Sequence, residues 1–233
     1  MIFISKITRF CLTSILIVLI ITILLWPQNL YNGISNGLVL CANVIIPSVF
    51  PFCVLSLMLF NLIRLNGSRL PILNIDSNIF LIIIMSMIGG YPAGAKLIST
   101  SYNKGGIDKL TANILLLFCV NAGPSFVISA IGYSAFSSTK IGILLYLSHI
   151  VSTIEIFLFF RKRLTNVKVK PMIPTRFSDT FVISVSEASK TMIIICAYVI
   201  FFSGILSVIK GFNIPLVFEQ ALTFSLEISS GIF

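Results

Sequence analysis

Two short breaks, both rich in glycine and proline, interrupt apolar helical segments of this chain. The first break covers residues 89–94 (GGYPAG) and the second covers residues 121–124 (NAGP). Lipid cannot hydrogen-bond the backbone groups that such breaks release, so non-helical backbone at membrane depth lies inside protein or along a watery cavity. A pair of interrupted apolar segments also indicates a transporter binding site. The breaks therefore predict an all-α, multi-pass membrane protein with broken helices around a site.

The composition excludes the soluble and nucleic-acid-binding classes. Hydrophobic residues make up 57% of the 233 positions and charged residues only 10%, whereas a soluble domain carries roughly 25% charged residues. The net charge is +9, but the basic residues lie mostly at the ends of apolar segments, as topology determinants do. The partner predicted from composition is the lipid bilayer, with no nucleic acid.

Enzyme and metal chemistry have no support in the sequence. It contains no GxSxG elbow, no HExxH and no glycine-rich phosphate loop. The five cysteines lie in apolar stretches without CxxC spacing, and the single histidine has no cluster of carboxylates beside it. We therefore predict no catalytic residue, metal or cofactor, and coupling to Na⁺ or H⁺ is left open.

The N-terminal segment predicts a membrane helix within residues 1–27. Lys6 and Arg9 precede 17 uncharged residues that end at Trp26, and tryptophan is enriched at membrane interfaces. A signal peptide is the alternative, but the residues around Trp26 make a poor cleavage site because small residues are expected there. The basic flank places the N-terminus in the cytoplasm. A charge-free loop is predicted for residues 27–33.

The next segments predict a hairpin and a broken helix. Residues 34–65 indicate an interfacial helix, a proline kink and a membrane helix. In residues 78–104 the first apolar run has about ten residues, or roughly 15 Å of helix, which reaches only the bilayer centre. We therefore predict a re-entrant hairpin there, followed by a broken crossing at residues 109–137 and a spanning helix at residues 141–160. Residues 33–163 would form one repeat.

A basic loop and the start of a second repeat are predicted next. Residues 164–178 belong to a cytoplasmic loop, because the basic residues from Arg161 to Arg176 have no acidic neighbour before Asp179. Residues 179–233 repeat the order of the first half, from polar start to apolar run to a glycine-containing break. Inverted repeats of this kind are frequent in secondary transporters. The second repeat would end inside its own hairpin, giving half or more of a transporter core.

The residues around the two breaks resemble a known family. Residues 90–96 (GYPAGAK) and residues 118–124 are the most specific parts of the match. Further matching stretches are residues 36–38, 47–52 and 226–231. Together they resemble the sporulation integral membrane proteins of endospore-forming bacteria, which belong to the nucleoside-recognition, or gate-domain, family.

The resemblance implies an architecture and a function. The family is similar in design to concentrative nucleoside transporters, with two re-entrant hairpins and two broken helices around a central site. It implies transport of a small, polar, anionic solute, such as dipicolinate, across the cell membrane or the forespore membrane during spore formation. Family members usually continue with another broken helix, so a homo-oligomer or a completing chain is expected here. The alternative is a non-transporting membrane component that holds a partner.

The predicted solute-binding residues lie at the breaks. They are Gly90, Tyr91, Gly94, Lys96, Asn121, Gly123, Ser125 and Glu227. Lys96 follows the first break, where its charge opposes the helix dipole and requires an anionic solute or facing carbonyls; the alternative is a lysine that snorkels to the headgroups. Asn121 and Ser125 offer polar groups to a solute or, alternatively, cap the half-helix ends. The role of Glu227 is implied by the resemblance.

Two further polar groups have structural and functional interpretations. His149 and Thr153 share an arc of one helix with Glu155, and this arc indicates either interhelical hydrogen bonding or a proton relay. Glu187 and Lys190 are three residues apart on a helix, so they predict an interfacial ion pair.

Overall fold

The computed structural model describes residues 2–63, 69–165 and 176–212. The α-helices are α1 (Ile2–Leu25), α2 (Pro27–Leu40), α3 (Ile46–Leu62), α4 (Ser77–Asn103), α5 (Lys109–Cys119), α6 (Thr139–Leu164) and α7 (Phe177–Lys210). Two π-helices cover Cys41–Ile45 and Phe126–Ala135. No strand occurs in the described ranges. Four stretches there are long and apolar enough to cross a membrane: Pro27–Leu62, Ser77–Asn103, Thr139–Leu164 and Phe177–Lys210. The prediction of an all-α membrane protein is confirmed.

The chain divides into two compact units. The first contains α1, α2 and the part of α7 from Ile195 onward, and the second contains residues 43–194. In the first unit, α2 packs closely on α7: a β-carbon on Gly33 would lie 2.5 Å from the Ser203 carbonyl oxygen, and one on Gly37 would lie 2.9 Å from Ile200 Cα. Small residues allow this close approach of two helix backbones.

The predicted loop at residues 27–33 is wrong, because this stretch begins α2. Pro27 takes the first helical position, where its missing N–H costs nothing and its fixed φ suits the helix. The asparagines of the segment favour turns, but packing of Gly33 against α7 outweighs that local preference. Asn29 Nδ2 lies 3.5 Å from the Ser207 carbonyl oxygen on the same seam.

The helix from α2 to α3 passes through a π-helical turn instead of a simple proline kink. The turn covers Cys41–Ile45 and immediately precedes Pro47. A proline ring clashes with the carbonyl four residues before it, which for Pro47 is that of Asn43, inside the turn. The wider π turn relieves this clash while the helix continues.

α4 is a helical hairpin that reverses at Gly90. The backbone there has φ 74° and ψ −170°, a region that is essentially restricted to glycine. A β-carbon on Gly94 would lie 2.9 Å from Ser86 Cβ, whereas eight residues of straight helix would separate them by roughly 12 Å. Each arm has about 13 residues, or roughly 20 Å, which is too short to cross a hydrocarbon core. Re-entry from one side of the membrane stays a prediction.

The predicted broken helix is present as two helical halves. α5 ends at Cys119, residues 120–123 are non-helical, and helical backbone resumes at Pro124. Asp108 starts α5 by accepting a 3.1 Å hydrogen bond from the Thr111 N–H, which satisfies one of the free donors at the helix N-terminus. The second half crosses α6 closely, since a β-carbon on Gly132 would lie 2.5 Å from Gly142 Cα.

Arg161, near the end of α6, anchors the segment that leads into the hairpin. Its guanidinium donates to the carbonyl oxygens of Leu73 (2.7 Å) and Ile72 (2.8 Å). Two donors in a planar fork fix both position and orientation. The sequence had indicated only a cytoplasmic topology signal at this residue.

We expect Arg161→Ala to lower the stability of the second unit. A buried hydrogen bond from a charged group contributes about 1.5–3 kcal/mol. The bond to the Ile72 carbonyl oxygen is exposed and contributes less. Arg161→Lys should restore little, since lysine lacks the fork. The loss of monodisperse protein on heating in detergent measures this effect. Arg163→Ala, two residues further on and exposed, is the control; equal effects of the two alanine variants would contradict the anchoring role.

Most of the predicted basic loop and all of the predicted second break fall outside the described residues. The loop prediction covers residues 164–178, of which 166–175 are not described, and the second break with Glu227 lies in residues 213–233.

Candidate functional site

The two breaks meet, as predicted, through direct contact between their backbones. A β-carbon on Gly90 would lie 2.7 Å from the Gly123 nitrogen, and one on Gly123 would lie 3.2 Å from Gly90 Cα. Backbone can approach this closely only where side chains are absent. The contact therefore requires glycine at position 90, whereas a β-carbon at position 123 would be tight. Tyr91 is half-buried beside it.

The second arm of the hairpin packs against the end of α5. A β-carbon on Gly94 would collide with the Cys119 carbonyl oxygen. Cys119 is the last residue of α5, so this carbonyl belongs to the last turn, whose acceptors have no partner within the helix. Gly94 therefore leaves room for a helix terminus, and its role in solute binding stays a prediction.

Asn121 caps the half-helix end and joins it to α6. Its side-chain amide donates to the Phe118 carbonyl oxygen (2.8 Å) and to Thr153 Oγ1, which in turn donates to the His149 carbonyl oxygen (2.8 Å). This is the capping alternative that the sequence had left open for Asn121. Thr153 is buried and His149 half-buried, while Glu155 is exposed, so the predicted polar arc does not face one interior as a whole.

The cavity beside Asn121 is small. It has a volume of about 10 Å³ and is lined by residues of the first arm, the break and α6, namely Met87, Asn121, Ala122, Tyr146, His149, Ile150 and Thr153. A cavity of roughly 10–15 Å³ holds one water molecule. Tyr146 closes one side by donating a 3.1 Å hydrogen bond to the Met87 carbonyl oxygen. The junction of the breaks is thus closed in this conformation.

Lys96 forms an ion pair that the sequence did not predict. Its ammonium contacts the Glu187 carboxylate on α7, and Lys190 lies 3.6 Å from the other Glu187 oxygen. The predicted pair of Glu187 with Lys190 is present, but Lys96 is the closer partner. The Lys96 and Glu187 side chains are 36% and 29% exposed. Because the two side chains form an ion pair, the Glu187 carboxylate supplies the negative charge that a cation near a helix N-terminus requires.

A cavity of about 200 Å³ surrounds this ion pair, and we name it the Lys96 cavity. Its lining residues come from α3, the second hairpin arm and α7: Leu57, Phe60, Asn61, Lys96, Leu97, Thr100, Lys104, Ile183, Ser184 and Glu187. It shares no lining residue with the cavity beside Asn121. Lys96 and Asn121 therefore line separate cavities in this structure, and their shared role in solute binding stays a prediction.

Ser125 lines a third cavity, which has a volume of about 280 Å³. Its lining residues are Asn43, Val44, Pro47, Ser48, Ser125, Ser129, Ala130 and Tyr133. Of the predicted site residues, the structure thus brings together Gly90, Asn121 and Gly123, and it separates Lys96 and Ser125 from them. Helical periodicity could not predict which of these residues lie together, because it shows which residues share a helix face but not which other helix that face contacts.

Comparisons with known proteins identify one relevant relative. No protein-family model matches the chain, and no solved structure matches it. The "Sporulation integral membrane protein YlbJ" of Bacillus subtilis (strain 168) is 29% identical over 181 residues, which cover 73% of this chain and 44% of that protein. The chain spans less than half the length of this relative. The similarity supports the sporulation part of the predicted resemblance; the nucleoside-recognition part stays a prediction.

Proposed function

We propose that this protein acts in a membrane during spore formation and passes a small, polar, anionic solute across it. The sporulation context rests on the similarity to the Bacillus subtilis protein named above, and the transport activity rests on the broken helices. The membrane would be the cell membrane or that of the forespore. On the resemblance, dipicolinate is the first solute to test, and the gate-type architecture is part of the same proposal.

The contact between Gly90 and Gly123 carries the transport proposal. It joins two interruptions of apolar helices by backbone alone, and interrupted helices of this kind form the binding sites of secondary transporters. The backbone carbonyl and N–H groups of the half-helix ends offer polar contacts without side-chain charge. Because the cavity beside Asn121 is closed, solute passage requires the two breaks to separate.

The closed junction also favours a second candidate function. A broken-helix core that stays closed would serve as a non-transporting membrane component, holding a partner or a completing chain. The volume of about 10 Å³ beside Asn121 fits this role without any movement. Transport and partner holding differ in whether the breaks separate, which an uptake measurement decides.

We expect proteoliposomes containing the wild-type protein to take up dipicolinate, and Asn121→Ala to reduce the uptake about tenfold. The variant loses the Phe118 cap and the Thr153 hydrogen bond, each worth about 1 kcal/mol, so the break is no longer held in place. Asn113→Ala, an exposed asparagine on α5, is the matched control. Absence of uptake by the wild-type protein, with a stable protein partner co-purifying, would favour the second function.

Topology gives an independent test of the membrane placement. In a variant without native cysteines, a cysteine at position 168 should react with membrane-impermeant reagents only from the cytoplasmic side, because the basic excess lies there. Ile72→Cys and Lys109→Cys flank the hairpin and should react from that same side, since its arms are too short to cross. Reaction of these two positions from opposite sides would contradict re-entry.

A further inference from the structure

The Lys96 cavity is lined by a residue with a buried hydroxyl group that has no partner among the described residues. Ser184 is 1% exposed, and its Oγ makes no hydrogen bond to the part of the chain that the structure describes. Buried hydroxyl groups in native proteins nearly always have a partner. Ser184 and Glu187 are three residues apart on α7, so they lie on the same face of that helix. Both residues are among those that line the cavity.

The charges of the cavity suit an anion. Among the described residues, the cavity is lined by Lys96 and Lys104 and by the single carboxylate of Glu187, which leaves a formal charge of +1. The two lysines are eight residues apart, or roughly 12 Å along the hairpin arm. A cavity of about 150 Å³ holds benzene, so a volume of about 200 Å³ accommodates one aromatic ring or a short dicarboxylate.

We propose that the Lys96 cavity binds a small carboxylate or phosphate anion from water, which takes the place of Glu187 on the Lys96 ammonium while Ser184 and Lys104 hold its other end. Lys190 makes the exchange feasible. It lies 3.6 Å from Glu187 and is 68% exposed, so Glu187 keeps a cationic partner when Lys96 is taken. Breaking an ion pair is costly when it leaves a partly buried charge without a partner. Here the Glu187 carboxylate keeps Lys190 as its partner.

The identification of this anion with the transported solute rests on the function proposed above. The existence of the binding site does not rest on that function, because the site is built from side chains that line a different cavity from the one beside the junction of the breaks. Its existence is therefore testable by binding alone, and its role in transport by uptake.

Calorimetric titration of the full-length protein in phosphatidylcholine nanodiscs tests the site. The probes are inorganic phosphate, succinate and benzene-1,3-dicarboxylate, and we expect at least one of them to bind. Glu187→Gln should bind that probe about tenfold more tightly, because the competing carboxylate is lost while the side chain keeps its size. Lys96→Gln should bind it at least about tenfold more weakly. Unchanged or weaker binding by Glu187→Gln, or no binding of any probe, would overturn the exchange.

Matched variants separate ligand contacts from folding effects. Ser184→Ala should weaken binding about fivefold without lowering the melting temperature of the ligand-free protein, because its hydroxyl has no partner to lose. Ser186→Ala, which is exposed on the same helix, should change neither. Lys104→Gln should weaken binding, whereas Lys109→Gln, an exposed lysine outside the cavity, should not. Equal effects of each variant and its control would refute the assignment.

An anionic lipid headgroup offers the same chemistry, so the titration is repeated in nanodiscs that contain phosphatidylglycerol. Competition that abolishes probe binding would identify the lipid as the occupant and overturn binding from water. Uptake that persists in Lys96→Gln and Ser184→Ala would leave transport standing and refute a role of this site in transport. The expected binding pattern without any uptake would support the site and refute transport.

Discussion

Gly90→Ala is expected to destabilise the hairpin. Gly90 has φ 74° and ψ −170°, and holding a non-glycine residue in such a region costs about 1–3 kcal/mol. The new β-carbon would also lie 2.7 Å from the Gly123 nitrogen, so the backbones of the two breaks would have to move apart. At about 2–4 °C per kcal/mol for a chain of this size, we expect the apparent melting temperature in detergent to fall by roughly 5–10 °C.

Gly105→Ala is the matched control for this variant. Gly105 also has a positive φ, 66°, but a β-carbon there would have nothing within 4 Å. It therefore carries the conformational cost of a positive φ without the collision. If both variants lower the melting temperature equally, the contact between the breaks contributes nothing and backbone strain alone explains Gly90.

Gly94→Ala is expected to displace the second hairpin arm from α5. The added methyl group would collide with the Cys119 carbonyl oxygen and would lie 2.9 Å from Ser86 Cβ on the first arm. Neither neighbour can rotate away, because one is backbone and the other is a β-carbon. Overpacking of this kind typically costs about 1–3 kcal/mol and often more when backbone must shift.

Size-exclusion profiles of the heated, detergent-solubilised protein measure the effect of Gly94→Ala. The control is Ser99→Ala, an exposed position on the same arm, which should leave the profile unchanged. In protein that stays folded, uptake should fall more than stability does, because the collision lies beside the junction of the breaks. A variant with normal stability and normal uptake would show that the arm and α5 can separate freely.

The sequence was informative about features that depend on residues close together in the chain. Gly90 and Gly123 each lie in a break within an apolar run, and the pairing of two such breaks, as in transporter binding sites, was sufficient to predict that they meet. The start of α5 at Lys109 agrees with the predicted broken helix over residues 109–137. The membrane assignment follows from apolar length, which any single segment displays by itself.

The sequence was uninformative about residues whose role depends on a partner from a distant part of the chain. Lys96 was assigned to the breaks because it follows one of them, but its ion pair is with Glu187, 91 residues further along the chain. Residues 27–33 were expected to form a loop from their asparagines and glycine, yet Gly33 packs them into a helix against α7. Ser184 carried no signal at all, because a hydroxyl becomes informative only when its surroundings leave it without a partner.

The sequence by itself determined that this protein is helical, lies in a membrane and breaks two of its helices, because glycine, proline and apolar length act within a few residues. Only the tertiary structure decided which groups share a cavity. It separated Lys96 from Asn121 and joined it to Glu187, and it placed Ser184 beside them. The physical reason is that pairing of charges and burial of polar groups depend on helices that are distant in sequence, and their facing surfaces are fixed only when all of them pack together.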